Sequence, residues 1–236
     1  MKFDTPLLRG TLVKRYKRFM ADIILEDGVE ITAHCANSGS MLSLLETGAE
    51  VWVSPADNPK RKLRYTWELV RAQGVLVGIN TARPNAIVAE AVAAGRIDEL
   101  AAYRGIRREV KYGKNSRIDL LLDGAGLPDC YVEVKNVTLK RAPDPHGALE
   151  FPDAVTSRGA KHLAELSDMV RQGHRAVMLY LVQRDDGGHF SLATDIDPAY
   201  RQAFDFAKKS GVEALCYRCR VCPEEITLGD AVPIVL

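Results

Sequence analysis

The period of the apolar residues changes near residue 80, and that change limits the fold more than any other feature. Before it, "LLRGTLVKRY", "FMADIILEDGVEITAHC", "AEVWVSPAD" and "KLRYTWELVRAQGVLVGI" alternate apolar and polar residues with a period of two, as half-buried strands do. After it, Pro84 and Asn85 open a stretch in which Ile87, Val88, Ala91 and Val92 recur at helical spacing. An all-β unit over 1–80 followed by a mixed α/β unit over 81–236 is therefore expected. Within the first unit, Asp27-Gly28 is a two-residue hairpin signal. "NSGSMLSLL" (37–45) reads as a turn and a short helix, with Ser38 or Ser40 as its cap. About five strands with a helix after the third is the order of an OB-type barrel, a fold that binds single-stranded nucleic acid or oligosaccharide.

The second unit reads as helix, short helix ("RIDELAAY"), strands over 106–112, 117–123 and 130–137, and a Pro-rich loop over 138–155. Helix 157–172, strand 175–183, helix 198–210 and strand 212–221 follow. Such an order gives a sheet covered by helices.

The middle of that unit, "RIDLLLDGAGLPDCYVEVKNVTL", is a hairpin with charges inside apolar runs. Glu133 and Lys135 share one strand face, with Val132 and Val134 on the other. The hairpin then brings Asp119 beside Glu133. Two carboxylates so placed repel and lose hydration unless a cation lies between them. Mg²⁺ or Mn²⁺ suits the site, since a hard ion takes one or two carboxylates plus water and phosphate oxygens. The expected set is Asp119 and Glu133 as metal ligands, the Val134 carbonyl as a further oxygen, and Lys135 orienting the attacking water. The competing reading is a solvated hairpin with a Glu133–Lys135 pair.

With the motifs on view, a family resemblance is plain. "SRID … VEVKNVTL", "HCANSGSM", "RYTWELV", "TSRGAKHLAEL", "RPNAIVAEAV" and "LVQR" occur in one order along nearly the whole chain. They resemble the sugar fermentation stimulation protein family, SfsA. The resemblance implies DNA binding and an OB-like N-terminal barrel. It also implies a C-terminal domain like the PD-(D/E)xK nucleases, whose core is αβββαβ. By position, Asp119 is the acid, Glu133-Val134-Lys135 the (D/E)xK, and Glu90 a candidate upstream acid that binds metal through water. Glu109 is a rival for that last role. Arg117-Ile118-Asp119 departs from the pattern in having no proline before the acid.

Nucleic-acid contacts are expected from clusters of cations, because net charge is only +1. Lys14, Arg15, Lys17 and Arg18 form one; Lys60, Lys62 and Arg64 form a stripe beside Arg61; Arg104 to Arg117, including Lys114, form a third. Arg158, Lys161 and His162, at the start of a helix, are expected to meet phosphates, and Gln183 the scissile phosphate or its water. Trp52 faces away from Val51 and Val53 and is the base-stacking candidate. Tyr65 and Trp67 read as core. The "NSGS" turn offers backbone N–H groups to a phosphate.

The cysteines Cys35, Cys130, Cys216, Cys219 and Cys222 are read as free thiols. Cys216 and Cys219 point apart on a strand, against a zinc site. No secretory signal and no run of roughly 18 uncharged apolar residues is visible, so a cytoplasmic protein without a membrane partner is expected. Binding largely without sequence preference follows from contacts to phosphates. A non-catalytic DNA-binding regulator of sugar metabolism is the alternative, and an oligosaccharide-binding barrel ranks below both.

Overall fold

The computed structural model describes every residue of the 236 except Pro59, Lys114 and Pro145. The Lys114 member of the third basic cluster thus lies outside the described residues. Six strands come first: β1 (Leu8–Tyr16), β2 (Met20–Leu25), β3 (Glu30–Cys35), β4 (Glu50–Pro55), β5 (Tyr65–Ala72) and β6 (Val75–Gly78). They run in the order β3-β2-β1-β4-β5-β6. A parallel β3–β5 pairing, Ala33 opposite Tyr65 and Cys35 opposite Trp67, closes the first five into a barrel. Closure removes the sheet edge that would otherwise invite pairing with another chain. Alternating residues fill the interior, among them Leu12, Ile23, Val51, Val53 and Trp67. The Asp27-Gly28 hairpin forms as expected: the Gly28 amide donates to the Leu25 carbonyl at 2.9 Å, with Gly28 at φ 83°. The expected short helix in 37–45 does not form. Met41 and Ser43 adopt φ of 55° and 66°, outside the helical region, and the segment runs as turns with Met41 and Leu44 plugged into the barrel.

The second lobe contains α1 (Pro84–Ala93), a three-residue 3-10 turn at Asp98–Leu100, β7 (Gly105–Tyr112), β8 (Ser116–Asp123), β9 (Cys130–Val137) and β10 (Ala148–Phe151). After these come α2 (Ser157–Arg171), β11 (Arg175–Val182), β12 (His189–Leu192), α3 (Pro198–Lys209), β13 (Glu213–Val221) and β14 (Ile226–Ala231). The 3-10 turn replaces the second short helix. The strands β10, β12 and β14 carry no clear signal in the sequence, being short or mixed in pattern. The main sheet has the order β14-β13-β11-β9-β8-β7, antiparallel from β7 to β9 and parallel from β9 through β11 to β13. With β10 set aside, α1-β7-β8-β9-α2-β11 is the αβββαβ order.

Each face of the sheet has its own core. Ile87 and Val88 of α1 pack over Leu120, Val132 and Leu179. Leu163 and Leu166 of α2 and Phe204 of α3 pack over Met178 and Tyr180 on the other side. Local signals fix the helices. Pro84 takes the first helical turn of α1, the Thr156 hydroxyl caps α2 by accepting from the Gly159 amide at 3.1 Å, and Asp197 caps α3 by accepting from the Tyr200 amide at 2.9 Å.

The two lobes are stitched together. Trp52 and Leu69, on the outer face of the barrel, belong to the same core as α1 and the central strands. The Gly78 amide donates to the Gln183 carbonyl at 2.8 Å, and the Gln183 side chain lies where a Gly78 Cβ would be, with its Oε1 2.6 Å away. Arg184, fully buried, donates to Gln73 Oε1 at 2.9 Å and to the Thr138 carbonyl at 3.0 Å.

Candidate functional site

The β8–β9 ladder pairs Leu120 with Val132 and Leu122 with Cys130, then stops. Beyond that point the carboxylate of Asp119 takes the place of a backbone partner: its Oδ2 accepts from the Val134 amide at 2.7 Å. Its Oδ1 accepts from Asn85 Nδ2, on the first turn of α1, also at 2.7 Å. Burial, then the charge of Glu133, push the Asp119 carboxyl up to about 6 despite those two donors and Lys135.

Glu133 is 2% exposed. Its Oε1 accepts from Lys135 Nζ at 2.7 Å and meets His162 Nδ1 in a short contact. Burial would raise this carboxyl, but the His162 hydrogen bond and the Lys135 charge outweigh it and hold it below the ordinary carboxylate range. Oε2 is buried and, among the described residues, has no hydrogen-bond partner. An ionised oxygen left bare in a buried position is costly unless a cation or water meets it. The Tyr112 hydroxyl is likewise buried and without a partner among the described residues, and burial and the charges of Glu133, Glu165 and Asp119 push it far up.

Asp119, Glu133, Val134, Lys135, Arg158 and His162 all line one cleft of about 420 Å³. His162 is buried, and Arg158 at the cleft rim donates from Nε to His162 Nε2 at 3.3 Å. The barrel supplies the opposite wall through Asn37, Ser38 and Gly39. That loop is held from two sides. Arg15 donates to the carbonyls of Asn37 (2.9 Å) and Gly39 (3.0 Å), and Asp153 of the second lobe accepts from the Met41 amide at 2.9 Å. Among the described residues, no group of three or more His, Cys, Asp or Glu side chains is placed to hold a metal ion. A cation here would rest on two carboxylates, the Val134 carbonyl and water, a set that a hard divalent ion accepts.

Several expected residues lie elsewhere. Glu90 is on the outer side of α1, paired with the amino group of Met1 at 3.0 Å, and does not line the cleft. Five residues on from Asn85, a helix has turned by about 140°. Among the described residues, the Glu109 side chain meets Asn85 Nδ2, at 3.4 Å. Gln183 is fully buried and donates to Asn136 Oδ1 at 2.8 Å, so it joins the lobes and does not face a substrate. Trp52 is 6% exposed, because the barrel's outer face is covered by the second lobe, and Arg71 lies over its ring at 5.3 Å. It has no free face for a base. Arg15 directs its donors to backbone carbonyls and is a strut of the loop. Lys161 is exposed, pairs with Glu165 at 3.6 Å and stays off the cleft. Lys14, Lys17, Arg18, Lys60, Lys62 and Arg64 are all exposed on the barrel. Cys216 and Cys219 pack into opposite cores of the sheet, and all five cysteines are free thiols. Among the described residues, no helix is long and apolar enough to cross a membrane.

Asn85 and Asp153 join the site without being expected from the sequence. Pro84-Asn85 signalled a helix start, which is where a side chain can reach an adjacent strand end. Nothing local marks Asp153.

Comparisons with known proteins agree with this layout. The family model "SfsA N-terminal OB domain" matches residues 13–79, and "Sugar fermentation stimulation protein RE domain" matches 82–225. The sugar fermentation stimulation protein homolog of Paramagnetospirillum magneticum is 63% identical over 229 residues, 97% of this chain and 95% of that protein. The homolog of Rhodospirillum rubrum is 58% identical over 243 residues, covering 100% and 99%. Among solved structures, Pyrococcus furiosus SfsA in complex with Ca²⁺ superposes with a TM-score of 0.89 at 22% identity, covering 100% of this chain and 98% of that one. At that identity the likeness is one of fold.

Proposed function

The chain belongs to the sugar fermentation stimulation protein family, and from that premise we propose that it binds DNA largely without sequence preference and hydrolyses phosphodiester bonds with Mg²⁺ or Mn²⁺. The observation that carries the reading is the bare, buried Glu133 Oε2 beside Asp119, with Lys135 on the same cleft. Asp119 and Glu133 would hold the cation, with the Val134 carbonyl as a further oxygen. When bound, the ion supplies Lewis acidity at the phosphate and lowers the pKa of water.

The chain's own groups account for the rest. Lys135, which donates to Glu133 Oε1 beside the His162 ring, presents an ammonium to the charge that builds on the phosphoryl oxygens and orients the attacking water. Asn85 and the Val134 amide fix the Asp119 carboxylate so that it need not reorganise. Arg158, at the rim, neutralises a neighbouring phosphate, and the exposed barrel cations extend that contact along the backbone. A cytoplasmic setting, where DNA and Mg²⁺ are both at hand, belongs to the same reading. A hard-cation site is also in keeping with the calcium complex of the Pyrococcus protein.

The second reading, a non-catalytic DNA-binding regulator on a nuclease-like frame, is favoured by one observation: Glu133 Oε1 is already engaged by Lys135 and His162. Incubation with branched, single-stranded and duplex DNA in Mg²⁺ or Mn²⁺ separates the two. Cleavage that disappears in Glu133→Ala supports hydrolysis. Binding without cleavage of any of the three substrates supports the regulator.

A further inference from the structure

The barrel carries an aromatic pair that the cleft does not use. Phe19 is the last residue of the β1–β2 turn and is 44% exposed, although most large apolar side chains of the barrel are inside it. Its ring lies 6.3 Å from that of His34, tilted by 31°. The β2–β3 register places Met20 opposite His34, and the Phe19 carbonyl accepts from the Cys35 amide at 2.9 Å, so the two rings are held on ordered backbone. The turn residues are Lys17 and Arg18, with φ of 47° and 63°. Asn and Gly are the residues that suit such a turn. Here two long cations occupy it instead, both exposed, and among the described residues neither is ion-paired.

The position of this pair matters as much as its chemistry. Arg15 donates to the Arg18 carbonyl at 2.9 Å and, with the same guanidinium, to the carbonyls of Asn37 and Gly39. The basic turn is thereby tied to the loop that forms the barrel wall of the cleft. We propose that Phe19 and His34 form a stacking platform for unpaired bases of a nucleic-acid strand leaving the cleft, with Lys17 and Arg18 on its phosphates. The platform takes over the role that sequence parity assigned to Trp52, and it narrows the ligand to a substrate with a single-stranded segment. It rests on the nucleic-acid reading of the cleft but not on cleavage.

A ring face offered to a base is sequence-tolerant, because every base has a π-face. Cations on the same turn add attraction that salt weakens. Together they distinguish a single strand from a duplex, whose bases are already stacked on one another.

The test uses the full chain in EDTA, so that no strand is cut, and reads fluorescence anisotropy of labelled oligothymidylate and of an abasic strand of the same length. Phe19→Ala is expected to weaken oligothymidylate binding by about tenfold and to leave abasic binding unchanged, and Phe19→Trp is expected to restore it. His34→Ala is expected to produce a smaller loss in the same direction. Equal affinity of wild type for the two strands, or of Phe19→Ala and wild type for oligothymidylate, would overturn the platform while leaving the phosphate-binding reading intact. Failure of the wild type to bind either strand or a duplex would overturn both readings at once.

Discussion

Asp119 offers a way to weigh the charge balance of the cleft without any catalytic assay. In the native state its carboxyl is pushed up to about 6 from 3.8, first by burial and then by Glu133. The folded chain therefore holds this proton to higher pH than the unfolded chain. Between about pH 4 and pH 6 the native state binds more protons, so stability falls as pH rises and levels off above that window. A rise of this size corresponds to about 3 kcal/mol when complete, of which about 2 kcal/mol falls between pH 4.5 and pH 8. Asp119→Asn removes the titration. Both native oxygens accept, one from Asn85 and one from the Val134 amide. An amide keeps its oxygen on Val134 and turns its NH₂ toward Asn85, whose own amide can flip to accept. The variant is therefore expected to fold with its packing kept. Urea unfolding of both proteins in EDTA at pH 4.5 and pH 8 gives two stability differences. Asp119→Asn is expected to gain about 2 kcal/mol relative to wild type on going from the lower to the higher pH. Comparing the two pH values cancels any cost of the substitution itself. A difference that does not change with pH, or that changes in the opposite sense, would refute the charge argument. Adding Mg²⁺ at pH 8 is expected to stabilise wild type more than the variant, since the cation offsets the repulsion that the variant lacks.

Three further outcomes follow from the same geometry. Lys135→Ala is expected to lower the cleavage rate by about 10²-fold or more while leaving duplex affinity near that of wild type, measured by single-turnover cleavage and by anisotropy. Trp52→Ala, in a core shared by both lobes, is expected to cost about 3–5 kcal/mol of stability by urea unfolding, with no selective loss of single-strand affinity. Duplex affinity is expected to fall by at least about tenfold between 50 and 200 mM salt; a flat response would remove phosphate contacts as its source.

What the sequence disclosed, and what it hid, divides along physical lines. The hairpin of β8 and β9 was legible because alternation with a period of two, broken by a Gly/Pro turn, has few other solutions. Face parity also placed Glu133 and Lys135 together. Parity alone does not explain Asp119, which leaves the ladder where β8 and β9 part and fills the gap with its own carboxylate. Trp52 was read correctly as pointing out of the barrel, but outward is not exposed when a second lobe lies against that face. Gln183 was misplaced for the same reason: a strand end beside the site is also the seam between the lobes. Glu90 was misplaced by taking an acid on the right helix without its angle; Asn85 has the angle and was overlooked because its partner is 34 residues away. The expected helix over 37–45 fails because Met41 and Leu44 plug the barrel, and the left-handed backbone at Met41 and Ser43 that places them there outweighs helix propensity.

The seam through Trp52, Leu69, Gln73, Gly78 and Gln183 ties both walls of the cleft to one shared core, so a substitution in the barrel's outer face is felt in the lobe that carries Asp119 and Glu133. By the same token, cutting the gene near codon 80 would yield two halves, each with a greasy flank that the intact molecule never shows to water.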